Sequence, residues 1–149
     1  MPSIAIVDSG PLIATANSSD PNHRRCREIL EDPALHLVIP ALCVAEVGWL
    51  LHRRRGPRIE AGFLRGLADF DVRAPVPSDW PRIAELVEQY ADLPLGATDA
   101  SVVALAERLG TDVVVTLDRR HFGVVRPRHL PRLRLLPLRD DELAEGPAD

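Results

Sequence analysis

Four acidic residues keep company that does not suit a carboxylate. Asp8 closes the apolar run Ser3–Val7, and Asp118 closes the run Val113–Leu117. Glu46 lies within Pro40-Ala-Leu-Cys-Val-Ala-Glu-Val-Gly-Trp-Leu-Leu, where its turn neighbours Leu42, Cys43, Trp49 and Leu50 are all apolar. Asp99 immediately precedes the apolar stretch Ala100–Ala106. A carboxylate in apolar surroundings must be paired, protonated or bound to a cation, because stripping water from a bare charge is costly. Taken singly, each acid has a plain reading. An acid after a strand can be a turn residue or cap, Asp99 can favour a helix N-terminus, and Glu46 can pair with the Arg53–Arg55 run. Together, in the order strand end, helix, helix start, strand end, they predict one site. Oxygen donors of this kind select a hard divalent cation, Mg²⁺ or Mn²⁺, rather than zinc. The five histidines, His23, His36, His52, His121 and His129, form no HxxxH or HExxH pair, and they read as surface or arginine-cluster residues.

The elements that must carry these acids alternate between strands and helices. Strands are expected at Ser3–Val7, Leu35–Ile39, Phe70–Arg73, Val113–Leu117 and Arg134–Leu138. Asp8-Ser9-Gly10-Pro11 turns into a helix through Leu12–Thr15. Asp20-Pro21 reads as an N-cap with proline at the first helical position, opening a helix to about Glu31. Pro40 starts a helix that stops at Gly56-Pro57, and another follows over about Arg58–Ala68. Ser78-Asp79 caps a helix to about Tyr90. After the break at Leu93-Pro94-Leu95-Gly96, Thr98 caps a helix that Gly110 ends. Continuous apolar strands separated by helices predict an α/β fold with a mainly parallel sheet covered on both faces. In such sheets ligands bind at the carboxyl ends of strands, where Asp8 and Asp118 both fall.

Composition bounds the rest. The 149 residues fit one domain, expected over residues 1–139, with no internal repeat or linker. Asp140–Asp149 holds five acids in ten residues and is expected to fray into solvent as a disordered tail. All 18 basic residues are arginine, which excludes Schiff-base chemistry and a P-loop lysine. The net charge of −4 gives no global attraction to nucleic acid. Locally, however, Arg119–Arg139 contains seven arginines, two histidines and no acid. Arg119 and Arg120 directly follow Asp118, where guanidinium groups at a site's edge could grip phosphates. No apolar run is long enough to span a membrane, and the opening Met-Pro-Ser lacks the features of a signal peptide, so a cytoplasmic protein is expected. Cys26 and Cys43 form no CxxC motif and read as small buried hydrophobes.

The chain resembles the PIN-domain family, and within it the VapC-type toxins. The residues carrying the likeness are Ile4-Ala-Ile-Val-Asp8-Ser-Gly-Pro-Leu12, Pro40-Ala-Leu-Cys-Val-Ala-Glu46-Val, Tyr90-Ala-Asp-Leu-Pro-Leu-Gly-Ala-Thr-Asp99-Ala and Val115-Thr-Leu-Asp118-Arg-Arg-His-Phe122. The resemblance implies a three-layer α/β/α sandwich and endoribonuclease activity, with Asp8, Glu46, Asp99 and Asp118 as the acidic, metal-holding cluster. Asp8 and Asp99 would be the firmest ligands. Ser9 and Thr116 match hydroxyl positions of the family, and Asp92 would be a peripheral member. Gly10-Pro11 is less usual there than Ser-Ala. Also implied are a Mg²⁺ cofactor, an RNA substrate cut to 5′-phosphate and 3′-hydroxyl ends, a homodimer and a cognate antitoxin. Apolar residues beside arginines, Ile29, Leu30, Trp49, Leu50, Leu51, Ile59, Phe63 and Leu64, would supply the surface for those contacts.

Two rival readings are weaker. A haloacid-dehalogenase phosphatase also begins with a strand and Asp, but it wants a second acid where this chain has Gly10, and it commonly uses a lysine. A catalytically silent RNA- or protein-binding module would be expected to have lost at least one of the four acids.

Overall fold

The computed structural model describes residues 1–145. Five strands, β1 (Ser3–Val7), β2 (Leu35–Pro40), β3 (Asp71–Arg73), β4 (Val113–Val115) and β5 (Arg134–Leu136), form one sheet in the order β3-β2-β1-β4-β5. Every pairing is parallel, with Ala5 opposite Leu37 on one side and Val113 on the other. Alternate residues of each strand feed two separate cores. Ala5, Val7, Leu37, Ile39, Val113 and Val115 face one, and Ile6, Val38, Val114 and Leu135 face the other. Both sides of the sheet are therefore apolar, and layers of helices cover both, as continuous apolar strands require.

On the first face lie α1 (Ser9–Ala16), α2 (His23–Leu30), α3 (Ala41–Arg55) and α4 (Pro57–Gly66), with a short 3₁₀ turn at Leu67–Asp69. On the second lie α5 (Asp79–Gln89) and α6 (Ala97–Leu109). Helix α6 is buried on every side over Ala100–Ala106. It is braced against α5 by Arg82–Glu107 and Arg108–Asp79 ion pairs, both at 3.0 Å. Gly110 ends α6 in the left-handed conformation, φ 68°, which a residue with a Cβ adopts only at a cost. The one-turn α7 (Arg119–Phe122) and α8 (Asp140–Ala144) complete the described elements. Among the described residues no helix is long and apolar enough to cross a membrane.

Three sequence expectations change. Helix α2 starts at His23 rather than at Pro21, because the Asp20 carboxylate closes a turn on the Asn22 N–H at 2.8 Å and is used before the helix begins. Helix α6 is entered from Gly96, so Thr98 lies inside its first turn instead of capping it. The acidic tail does not fray from residue 140. Residues 140–144 are helical, with Glu142 accepting from the Arg139 N–H at 2.7 Å and from the Arg119 guanidinium at 2.8 Å. The rest of that expected tail, 146–149, lies outside the described residues.

Candidate active site

At the switch point of the strand order, β1 lies between β2 and β4, and the chain leaves its carboxyl end toward the first helical layer. A crevice is left there between strand ends. Its cavity, about 570 Å³, is lined by Asp8, Ser9, Glu46, Asp99, Asp118 and His121, with Gly10, Ile13 and Leu117 at its apolar edge. The four acids singled out in the sequence thus share one cavity.

Strand pairing places the first and last of them. The Asp8 N–H donates to the Val115 carbonyl at 2.9 Å, and the Thr116 N–H donates to the Leu136 carbonyl at 2.8 Å, which carries the ladders one residue past the strands. The Thr116 side chain then points at Asp8. Its hydroxyl donates to Asp8 Oδ2 at 2.8 Å and accepts from the Asp118 N–H at 3.0 Å. Among the described residues the one side-chain donor to Asp8 Oδ1 is the weak Cys43 thiol, 3.9 Å away, which leaves that oxygen able to take a stronger partner. Asp8 is buried at 5% exposure. Burial pushes its carboxyl above the usual range against the opposing pull of the Thr116 and Ser9 hydrogen bonds, and the charges of Glu46 and Asp118 add to the rise. The Cys43 thiol is itself pushed up, by burial first and by Asp8 next, so it stays a thiol.

Asp99 enters from the first turn of α6. Burial, and then the charge of Asp8, raise its pKa to about 6, while His121 works the other way. Glu46 comes from α3, and its Oε2 accepts from the Ser9 hydroxyl at 2.9 Å. The expectation that Glu46 is enclosed by apolar neighbours is not met. It is exposed at the cavity's lip, and Trp49, one of those neighbours, is 58% exposed. The reason is that α3 buries one stripe, Cys43, Val47, Gly48 and Leu51, with Val44 packed beside it, and turns Glu46 and Trp49 outward. Asp92 is exposed and does not line the cavity.

His121 is the residue that the sequence reading misses. Asp118 caps α7, accepting from the His121 N–H at 3.0 Å, and the one-turn helix swings the imidazole back onto the capping carboxylate. Nδ1 lies 2.5 Å from Asp118 Oδ2 and 3.6 Å from Asp99 Oδ2, and Nε2 lies 2.7 Å from the Leu93 carbonyl. A carbonyl can only accept, so Nε2 carries a proton, and Nδ1 shares a second one with Asp118. Desolvation would lower the imidazole pKa, but the hydrogen bond and charge of Asp118, the Leu93 carbonyl and Asp99 together raise it. His121 is therefore neither a surface residue nor part of an arginine cluster. Atoms of Asp99, Asp118 and His121 that can hold a metal lie within 4.8 Å of one another, the imidazole only after Nδ1 gives up the proton it shares with Asp118. The signal was available as Asp-x-x-His on a capped turn.

The arginines expected at the rim are placed differently. The Arg119 guanidinium turns to Glu142 and to the carbonyls of Leu135 and Pro137, and it lines another cavity. Arg120 is exposed.

These donors fit a hard divalent cation. Several carboxylates face one cavity, Asp8 is buried with an oxygen in want of a strong partner, and among the described residues no arginine lines it. Carboxylates forced together in this way are held partly protonated until a cation offsets their repulsion.

Comparisons with known proteins place the chain in a family and match its fold. The family model described as "PIN domain" matches residues 5–126. Ribonuclease VapC26 of Mycobacterium tuberculosis is 33% identical over 134 residues, spanning 89% of this chain and 99% of that protein. Among solved structures, Mycobacterium tuberculosis VapC20, described as a Sarcin-Ricin loop cleaving toxin, superposes with TM-score 0.70 at 18% identity, over 77% of this chain and 90% of its own. VapBC2 from Rickettsia felis, bound to a DNA fragment from its promoter, superposes with TM-score 0.66 at 14% identity, over 90% and 99%.

Proposed function

The chain belongs to the PIN domain family, and from that premise we propose that it is a divalent-metal-dependent endoribonuclease, the toxin half of a toxin–antitoxin pair acting in the cytoplasm. The observation that carries this reading is the single cavity into which Asp8, Glu46, Asp99 and Asp118 all project. Its support from relatives is the likeness to Ribonuclease VapC26 over nearly the whole of both chains.

Asp8 and Asp99 would hold Mg²⁺, with Mn²⁺ able to replace it. A cation bound there acidifies water and neutralises charge building on a scissile phosphate. The chain's own residues do the rest. Thr116 fixes which Asp8 oxygen faces the cavity, leaving Oδ1 for the ion. Glu46, turned by Ser9, and Asp118, turned by His121, complete a second set of ligands or orient the attacking water by hydrogen bonds. His121 holds a proton at Nδ1 between Asp118 and Asp99, which limits the net negative charge that an RNA phosphate meets on approach. Ile13 and Leu117 give the cavity an apolar edge, and among the described residues no Phe, Tyr or Trp lines it for base stacking, so selection would fall on RNA shape.

The antitoxin would dock on the first helical layer. An apolar groove of about 550 Å³ runs between α1 and α4, lined by Leu12, Leu30, Ile59, Phe63 and Phe70 with Arg58 and Arg65 beside them. Of the eight residues expected to form such a surface, Leu51 is core, whereas Trp49 and Leu64 remain exposed and would serve a homodimer contact. A helical antitoxin segment fits a groove of this kind, and an arginine following it could pair with the carboxylates.

The test is cleavage of a defined RNA in Mg²⁺, followed by mapping of the product ends. Ends with 5′-phosphate and 3′-hydroxyl support the reading. A 2′,3′-cyclic phosphate would exclude water as nucleophile and overturn it.

A further inference from the structure

Beyond the acid cavity, a second cavity of about 460 Å³ opens beside the edge strand β5. Among the described residues the two cavities share no lining residue but are neighbours along the chain, since Asp118 lines the first and Arg119, the next residue, lines the second. Three arginines line the second cavity, Arg119, Arg132 and Arg134, with the acids Asp112 and Glu142. Arg132 and Arg134 are exposed, and Arg134 meets Asp112 only at 3.6 Å, with both side chains largely in water. Arg132 has no ion pair among the described residues. Such pairs contribute little and are readily exchanged.

Arg119 is different. Its Nη1 donates to Glu142 Oε1 at 2.8 Å and its Nη2 to the Pro137 carbonyl at 2.8 Å, so the guanidinium is aligned and its charge offset by Glu142 of helix α8. Glu142 is prepared for that role. The Arg139 N–H holds its other oxygen at 2.7 Å, and this bond, followed by the Arg119 charge, keeps its carboxyl below the usual range. Among the described residues helix α8 has few other ties. Leu143 is 60% exposed, Asp140 reaches Arg25 only at 3.7 Å, the Arg139–Asp141 pair at 3.0 Å lies within the helix's own start, and Arg25 donates to the Leu138 carbonyl.

A carboxylate held at 2.8 Å by a guanidinium, in a cavity with two more arginines, presents to Arg119 what an RNA phosphate would present. We propose that the Arg119–Arg132–Arg134 cavity is a phosphate-backbone contact for RNA, and that Glu142 of α8 occupies it as an internal competitor. An RNA strand reaching the acid cavity would displace Glu142 from Arg119, and α8 would swing out. The inference rests on RNA as the substrate proposed above.

The experiment measures binding of a fluorescein-labelled single-stranded RNA in EDTA, which separates binding from cleavage, across a salt series. Glu142→Gln should tighten binding about three- to tenfold at low salt and steepen the plot of log Kd against log salt by about 0.7, the increment for one added phosphate contact on a single strand. Arg119→Ala should change binding by less than about twofold in the parent but erase the gain in the Glu142→Gln background. A chain ending at Arg139 gives a second route to the same gain, with its melting curve recorded to show that it folds. Unchanged affinity and slope in both Glu142→Gln and the shortened chain would overturn the proposal, as would absence of RNA binding by every variant at the lowest salt. RNA cleavage in Mg²⁺ by a parent whose affinity Glu142→Gln does not alter would sink this inference alone. Tightened binding without any cleavage would instead sink the ribonuclease reading and leave the phosphate contact standing.

Discussion

The Thr116 hydroxyl donates to Asp8 Oδ2 at 2.8 Å, and its own Oγ1 accepts from the Asp118 N–H at 3.0 Å. One side chain at the end of β4 therefore orients the acid at the end of β1 and positions the loop that carries a third strand-end group. Thr116 is 1% exposed, so no water can take its place. Replacement by the isosteric valine should weaken Mg²⁺ binding by about 10- to 100-fold, the usual scale for losing a partner that orients a ligand. Stability should fall by about 1–3 kcal/mol, because Asp8 is left buried without its donor. Thr116→Ser should restore most of both, as read by calorimetric titration and urea unfolding.

The raised Asp99 pKa has a definite sign in stability. A carboxyl whose folded-state pKa is about 6 against an ordinary 3.8 favours the fold fully only while protonated in both states, so metal-free protein loses that contribution as pH rises from about 4 to about 6. Asn resembles the protonated form at every pH. The melting temperature of Asp99→Asn minus that of the parent should therefore increase through that window and level off above it, and added Mg²⁺ should shrink the difference at pH 7. A difference that stays flat with pH would remove the basis for clustered carboxylates.

Metal binding should release protons for the same reason. Near pH 6 Asp99 is about half protonated, and a cation displaces that proton. Titration calorimetry in two buffers of different ionisation enthalpy should show release at pH 6 that is larger than at pH 8. Asp99→Asn should lose most of this excess.

Much of the fold was legible because β1, β2 and β4 are short apolar runs, and buried parallel strands leave no other pattern. Asp8 and Asp118 were conspicuous for ending such runs. Glu46 was noticed for a mistaken reason: its apolar neighbours suggested enclosure, yet α3 buries one stripe and leaves Glu46 and Trp49 in solvent. His121 is not legible from histidine spacing, since no second histidine stands at a ligand-pair distance in the sequence, and its role comes from one capped turn that folds it back on Asp118. Arg119 was expected at the rim since it follows Asp118. Its direction is decided by Glu142 in α8, a helix that five clustered acids gave no reason to anticipate.

Asp92 supplies a contrast within the same loop system. It is exposed and absent from the cavity, so Asp92→Asn should leave RNA cleavage within about twofold of the parent. A drop of tenfold or more would mean that the Tyr90–Gly96 segment touches substrate directly.

The most direct test of the account is the initial rate of RNA cleavage by protein freed of any partner, in Mg²⁺ and in EDTA, for the parent and for Asp8→Asn. Asp8 is the most buried of the four acids and has the fewest alternative roles. Cleavage by the parent in Mg²⁺, abolished by EDTA and reduced by at least about 100-fold in a folded Asp8→Asn, is the expected result. Cleavage that persists in EDTA, or an Asp8→Asn protein that turns over at the parent's rate, would contradict it.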